Sequence, residues 1–233
     1  MPAKKTTKKR TYRRGGTNLG QRVKRVMTAQ AEMKWAPSGN LMGVTPSNVG
    51  YLINPILGDP AVTTGAVLIQ TGTGTNQRIG NRIKVTKIEI MLHVTPQAGA
   101  TMTDGSTLRV MIVKDKQAAG ATPAFQSIVN SVATRVAETG LQNPDWTRRF
   151  TILKDFNHVM VVTGTNAATV IACGPPMMGK ITLRPNQIVT YTTSGGAAAD
   201  INGVNWYILT AATDSAGVCC TVEGRWIVHY TDF

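Results

Sequence analysis
Alternation of apolar and polar side chains sets in near residue 79 and recurs to the carboxyl end. In RIGNRIKVTKIEIMLHV, Ile83 and Val85 share one parity, while Ile88, Ile90, Leu92 and Val94 share the other. Strand side chains repeat every two residues, so an apolar set changes parity only where one extra residue enters. The pattern predicts a strand of roughly sixteen residues, ended by Pro96, with a bulge near Thr86 and Lys87. Similar alternation predicts strands over 107–115, 149–155, 158–164, 180–184, 187–193, 205–212 and 218–233, with a tight turn at Pro185 and Asn186. In the last, Val222, Trp226, Val228 and Tyr230 oppose Thr221, Glu223, Arg225 and His229, giving one buried and one polar face.

Only one stretch among these strands has helical spacing. Thr122 is placed to cap it, Pro123 suits the first position, and Phe125, Ile128, Val129, Val132 and Val136 form a stripe before Gly140. Eight strands and a single inserted helix predict an all-β fold, an antiparallel two-sheet sandwich with an eight-stranded jelly roll as the candidate topology. Residues 41–62 are apolar, hold three prolines and have no period, which suits either a contact between subunits or an extended cover on the subunit's own core.

Charge divides the chain unevenly. Residues 1–34 hold eleven Lys and Arg against Glu32, a net of +10, so the other 199 residues carry only +3 of the total +13. This predicts a basic arm over 1–34 and a nearly neutral body over 35–233, the jelly-roll domain. Lys4, Lys5, Lys8, Lys9, Arg10, Arg13, Arg14, Arg22, Lys24 and Arg25 repel one another, and the first eighteen residues offer little apolar surface for collapse. Such an arm binds nucleic acid through counterion release, and Tyr12 is placed to stack on an unpaired base. Leu19, Val23, Val26 and Met27 fall on one helical face after Asn18, predicting a short basic helix over 19–33. A basic terminus also fits a nuclear-import signal; an anionic membrane fits less well, since the arm's first half has no apolar anchor.

Motifs for catalysis are missing. The acids are scattered and several sit in turns (Asp59, Asp104, Asp200, Asp214), no G-x-S-x-G elbow occurs, and His93, His158 and His229 lie at no metal-ligand spacing. The expectation is a non-enzyme with no cofactor and no metal. Three cysteines, two of them adjacent, suit free thiols in a reducing compartment. GTGTNQRIGNRIK (72–84) has the glycines and cations of a phosphate loop, but Gly72, Gly74 and Gly80 do not match G-x-G-x-x-G, and a strand follows. The stretch reads as a turn opening a strand, with Arg78, Arg82 and Lys84 as candidates for a second contact to nucleic acid.

IQTGTGTNQRIGNRIKVTKIEI, RRFTILKDF and GRWIVHYTDF, in this order and spacing, together resemble segments of the capsid proteins of small circular Rep-encoding single-stranded DNA viruses. IQTGTGTNQRIGNRIKVTKIEI is similar to the start of their jelly roll, with Arg78, Gly80 and Ile83 at the R-x-G-x-x-I positions. RRFTILKDF matches their R-[FY]-x-[IV]-L-x-D segment through Arg149, Phe150, Ile152, Leu153 and Asp155, and GRWIVHYTDF resembles their last strand. The resemblance implies a single jelly roll, close to satellite plant virus coat proteins, assembling as about 60 copies into a T=1-like icosahedral shell. It further implies an inward arm on the genome, single-stranded DNA before RNA, and a location in the virion and the host nucleus. Two other readings of the same layout are a non-viral nucleic-acid-binding β-sandwich with a basic tail and a carbohydrate-binding sandwich with a targeting tail.

Overall fold
A computed structural model describes residues 33–37, 51–58, 67–96, 106–130, 140–160, 177–212 and 220–232. The chain divides into two compact units, Met1–Glu32 and Met33–Phe233, and all described residues belong to the second. The strands are β1 (Met33–Pro37), β2 (Tyr51–Pro55), β3 (Arg82–Pro96), β4 (Ser106–Ala119), β5 (Val129–Asn130), β6 (Leu141–Gln142), β7 (Phe150–Met160), β8 (Met177–Leu183), β9 (Gln187–Tyr191), β10 (Ile201–Ala212) and β11 (Cys220–Asp232). Among the described residues one α-helical turn, α1 (Phe125–Ile128), accompanies them.

Among the described residues the strands pair antiparallel throughout, and they form a β-sandwich. One layer runs β1–β11–β3–β8; in the other, β2 and β4 flank β10, and β7 lies beyond β4. β9 ties the layers together, pairing with Arg82–Val85 of β3 and, at Thr190 and Tyr191, with the start of β10. Between the layers Val85, Ile88, Ile90 and Leu92 of β3 meet Val110 and Ile112 of β4, Trp206 and Ile208 of β10, and Trp226 and Val228 of β11. The Trp226 indole donates to the Ile56 carbonyl at 3.1 Å, so burying this large ring leaves no unpaired N–H.

The parity change in β3 is a bulge at the expected residue. His229 faces Lys87 and Tyr230 faces Val85, leaving Thr86 unopposed, and the Thr86 hydroxyl donates to the His229 carbonyl at 3.1 Å. As a result Ile83 and Val85 reach the same core as Ile88 and Ile90.

Four expectations need correction. The reversal at Pro185 and Asn186 does not occur: β8 and β9 both run antiparallel to β3, so the chain keeps its direction through a kink. Asn186 takes a φ of 47° there, a conformation asparagine tolerates better than most residues. The segments read as strands over 149–155 and 158–164 are one strand through Met160, and residues 161–164 lie outside the described set. The helix is a single turn capped at Ala124 without a side-chain bond, and neither Thr122 nor Pro123 opens it. After it the chain enters the β5–β6 ladder, which suits the β-branched Val129; Val132 and Val136 lie outside the described residues. Finally, residues 33 and 34, assigned to the arm, belong to β1, which pairs with β11. Tyr51–Pro55, within the unperiodic stretch, is β2, and Ile56 and Leu57 after it are in the core.

β4 is apolar on both parities because its outer face is covered too. Met111 and Val113 pack with Tyr207, Leu209, Phe125, Ile128, Val129 and Phe150 in a second cluster. Two ion pairs fasten that cover. Arg149 donates to both oxygens of the fully buried Asp115 at 3.0 and 2.9 Å, and its guanidinium lies 4.8 Å from the Phe150 ring centre. Arg109 donates to both oxygens of Asp155 at 2.8 and 2.6 Å, and also to the Gly140 carbonyl.

Candidate nucleic-acid interface
The arm residues Lys4, Lys5, Lys8, Lys9, Arg10, Tyr12, Arg13, Arg14, Arg22, Lys24 and Arg25, and the helix expected over 19–33 except Met33, lie outside the described residues. Met33 is in a strand. The remaining candidates, Arg78, Arg82 and Lys84, separate into two environments.

Arg78 is wholly buried. Its Nε donates to the Ile69 carbonyl at 3.2 Å. Nη1 donates to the Gly80 carbonyl at 2.5 Å and the Asn81 side-chain oxygen at 3.3 Å. Nη2 donates to the Thr193 and Gly195 carbonyls at 2.5 and 2.7 Å. A guanidinium has five N–H groups, and all five are taken. The Tyr191 ring lies 4.2 Å beneath, and this burial lowers the Arg78 pKa while it raises the Tyr191 phenol well above its usual value. Arg78 is therefore no surface contact for a phosphate. It clamps the 69–81 segment to the 193–195 loop, and the expectation that it joins Arg82 and Lys84 is corrected.

The glycines of the same stretch serve this clamp. Gly72 donates to the Arg78 carbonyl at 2.9 Å, and a Cβ on it would fall 2.0 Å from the Gln77 side-chain oxygen. That oxygen accepts the Gly74 amide at 2.9 Å, so two amides of the loop are bonded within it and unavailable to cradle a phosphate.

Arg82 and Lys84 lie on the outward parity of β3, Arg82 exposed and Lys84 half-buried. They open a larger face, the outer surface of the β1–β11–β3–β8 layer. Across it, Trp35 pairs in register with His229 and His229 with Lys87; Ile227 faces Glu89; Arg225 faces Met91, and Met91 faces Lys180. Trp35 is 52% exposed and Met33 73%, unusually open for large apolar side chains. Glu89, Met91, Lys180, Arg225 and Ile227 rim a shallow depression of about 220 Å³. Among the described residues the face holds Arg82, Lys84, Lys87, Lys180 and Arg225, with exposed Arg184 at the adjoining kink, against Glu89 and Glu223. None of these besides Arg82 and Lys84 stands out in the sequence; the signal was their parity, opposite to the buried one on each strand.

Glu89 organises the middle of this face. It accepts from Lys87 at 2.9 Å, His229 at 2.9 Å and Lys180 at 3.2 Å, joining three strands. These bonds, Lys87 first, then His229 and Lys180, hold its carboxyl at about 2, below the ordinary 4.5. A carboxyl with a depressed folded-state pKa adds stability above its unfolded pKa and loses it as pH falls through the folded one. Between about pH 4.5 and 2, Glu89→Gln is expected to remove part of the acid-induced fall in melting temperature; equal slopes for variant and wild type would contradict this.

Among the described residues no group of three or more His, Cys, Asp or Glu side chains gathers as a metal site, and no helix is long and apolar enough to cross a membrane. No protein-family model matches the chain, and no curated protein matches it in sequence.

Proposed function
We propose that this chain is the structural subunit of a small viral capsid, a jelly-roll sandwich that self-assembles and packages single-stranded nucleic acid through its amino-terminal arm. The segregation of charge carries the reading. Moving the boundary to Glu32 leaves ten Lys and Arg against one acid in residues 1–32, a net of +9, beside a 201-residue unit of +4. A cationic segment this dense on a nearly neutral β-sandwich suits a scaffold that builds a shell and a tail that neutralises what the shell encloses. About 60 arms would supply roughly 540 net positive charges, enough for a genome on the order of a thousand nucleotides once mobile ions contribute. The three sequence segments that resemble circular single-stranded DNA virus capsids support the same reading, with the virion as the site of action, the host nucleus as the place of assembly, and no catalytic step or cofactor.

Electron microscopy and size-exclusion of the purified protein test it. Uniform closed particles containing nucleic acid are expected; a stable monomer at high concentration would favour a non-viral nucleic-acid-binding sandwich with a basic tail.

The arm's end point gives a sharper test. Lys34 is buried, 2.8 Å from an Asp232 oxygen and 2.9 Å from the Gln77 carbonyl. Deleting residues 1–32 should abolish nucleic-acid co-purification and leave the fold. Deleting 1–34 should cost about 3 kcal/mol more, because it strands Asp232 without its buried cation. Equal urea midpoints for the two truncations would count against this boundary.

A further inference from the structure
We infer that the outer face of the β1–β11–β3–β8 layer is a second binding surface for single-stranded nucleic acid, in which Trp35 stacks on an unpaired base and Arg82, Lys84 and Arg225 hold phosphates. The inference rests on the packaging reading above and gives it a place on the sandwich itself.

Charge is the first support. Of the two acids on the face, Glu89 is engaged by Lys87, His229 and Lys180, and Glu223 lies 3.9 Å from His93. Arg82, Lys84, Arg184 and Arg225 have no acidic partner among the described residues, so an approaching polyanion meets uncommitted cations. A protein partner would need acids matched to each of these cations; a nucleic-acid strand supplies the anions directly.

Trp35 is the second support. Of the four tryptophans, Trp206 and Trp226 are sealed in the core and two are open: Trp146, 40% exposed with Arg149 5.9 Å from its ring centre, and Trp35, 52% exposed on the edge strand β1 and the one on this face. Its register neighbours are His229 and, one strand further, Lys87, so the exposed indole is followed across the sheet by a second ring and a cation. Aromatic rings among cations are what sequence-tolerant single-strand binding needs, since every base has a face to stack and every nucleotide a phosphate. Two rows beyond, the apolar depression between Lys180 and Arg225 continues the surface.

Duplex DNA fits this face less well, because its bases are stacked internally and would leave Trp35 unused. β-Strand addition to β1 is also disfavoured: Lys34 points inward on that edge and Pro37 ends it, two devices that discourage strand pairing.

The test uses the full chain and two probes, a twenty-nucleotide oligothymidylate and the matching oligouridylate. Arg82→Gln/Lys84→Gln/Arg225→Gln should weaken binding several-fold and flatten the slope of log K against log salt by about 2, at about 0.7 per phosphate contact. Trp35→Ala should weaken binding about ten-fold with the salt slope unchanged, and Trp35→Phe should recover part of the loss. Thermal melting confirms that each variant folds; should Trp35→Ala fail, Trp35→Phe still reports through its loss of oligonucleotide-induced fluorescence quenching. Wild-type affinity and slope in all variants would overturn the surface and leave the arm as the whole site. A wild-type chain that bound neither probe would overturn the packaging reading itself. Variants that bind normally but change sedimentation would assign the face to a second copy of the chain, against this inference.

Discussion

Replacing Arg78 is expected to destabilise the sandwich itself rather than a surface contact. Arg78→Ala removes five donors at once, leaving the Ile69, Gly80, Thr193 and Gly195 carbonyls and the Asn81 side chain without their partner. A buried polar group left unpaired costs about 1–3 kcal/mol, and water entering the vacated space offsets some of that, so the net loss is about 4 kcal/mol. Arg78→Lys should recover little, since an ammonium has three donors and no planar fork to span both loops. Urea unfolding of the purified protein measures the loss. A variant that kept its midpoint and lost only oligonucleotide affinity would show that Arg78 works at the surface.

The second large effect is expected at Arg149. Arg149→Met deprives Asp115 of its two bonds at 3.0 and 2.9 Å and leaves a fully buried carboxylate with one donor, the Gln117 amide at 2.8 Å. Removing one partner of a buried pair costs about 3–5 kcal/mol. Arg149 is itself one-quarter exposed, which puts the expected loss near the lower end. Asp115→Asn combined with Arg149→Met should be less damaging than Arg149→Met alone, because the orphan charge is gone. A double-mutant cycle in thermal melts reads the difference; strict additivity would mean that the pair contributes nothing to the cover over Met111 and Val113.

Long strands were legible in the sequence because they carry the period of a half-buried sheet. The Thr86 bulge was legible for the same reason: the parity change between Val85 and Ile88 has few other physical causes. β1 and β2 were not, since five residues give too little pattern and their partners, β11 and β10, are distant in sequence. Lys34 even argued against a buried strand, because its partner Asp232 lies at the other end of the chain. Phe156 and Asn157 read as a break between strands, yet both stay in register, opposite Val110 and Arg109, and Asp155 just before them takes Arg109 as its counter-ion. Pro185 and Asn186 have the chemistry of a turn, but local residues do not fix whether the chain reverses or only kinks. The separation within the candidate site was hidden for a similar reason. Arg78 looks like Arg82 in the sequence, and only the 193–195 loop, more than a hundred residues away, makes one of them structural.

The loop that Arg78 grips is crowded enough to make small changes matter. A Cβ on Gly196 would lie 2.7 Å from the Ile69 carbonyl carbon, a backbone atom that cannot rotate away. Ile69 is itself fully buried and gives its carbonyl to Arg78, so one methyl group at 196 presses on the clamp from the other side.

For the gene, the unopposed residue in β3 is the place where the strand tolerates a change of length. Exchanging Thr86 for alanine removes one hydroxyl bond to the His229 carbonyl. Losing codon 86 would keep the pairs on either side of it and put Ile83, Val85, Ile88 and Ile90 on one unbroken parity, whereas losing codon 89 would send Ile88 and Ile90 to opposite faces. Variation among related chains should therefore include single-residue deletions at this position and almost none in the alternating run after it.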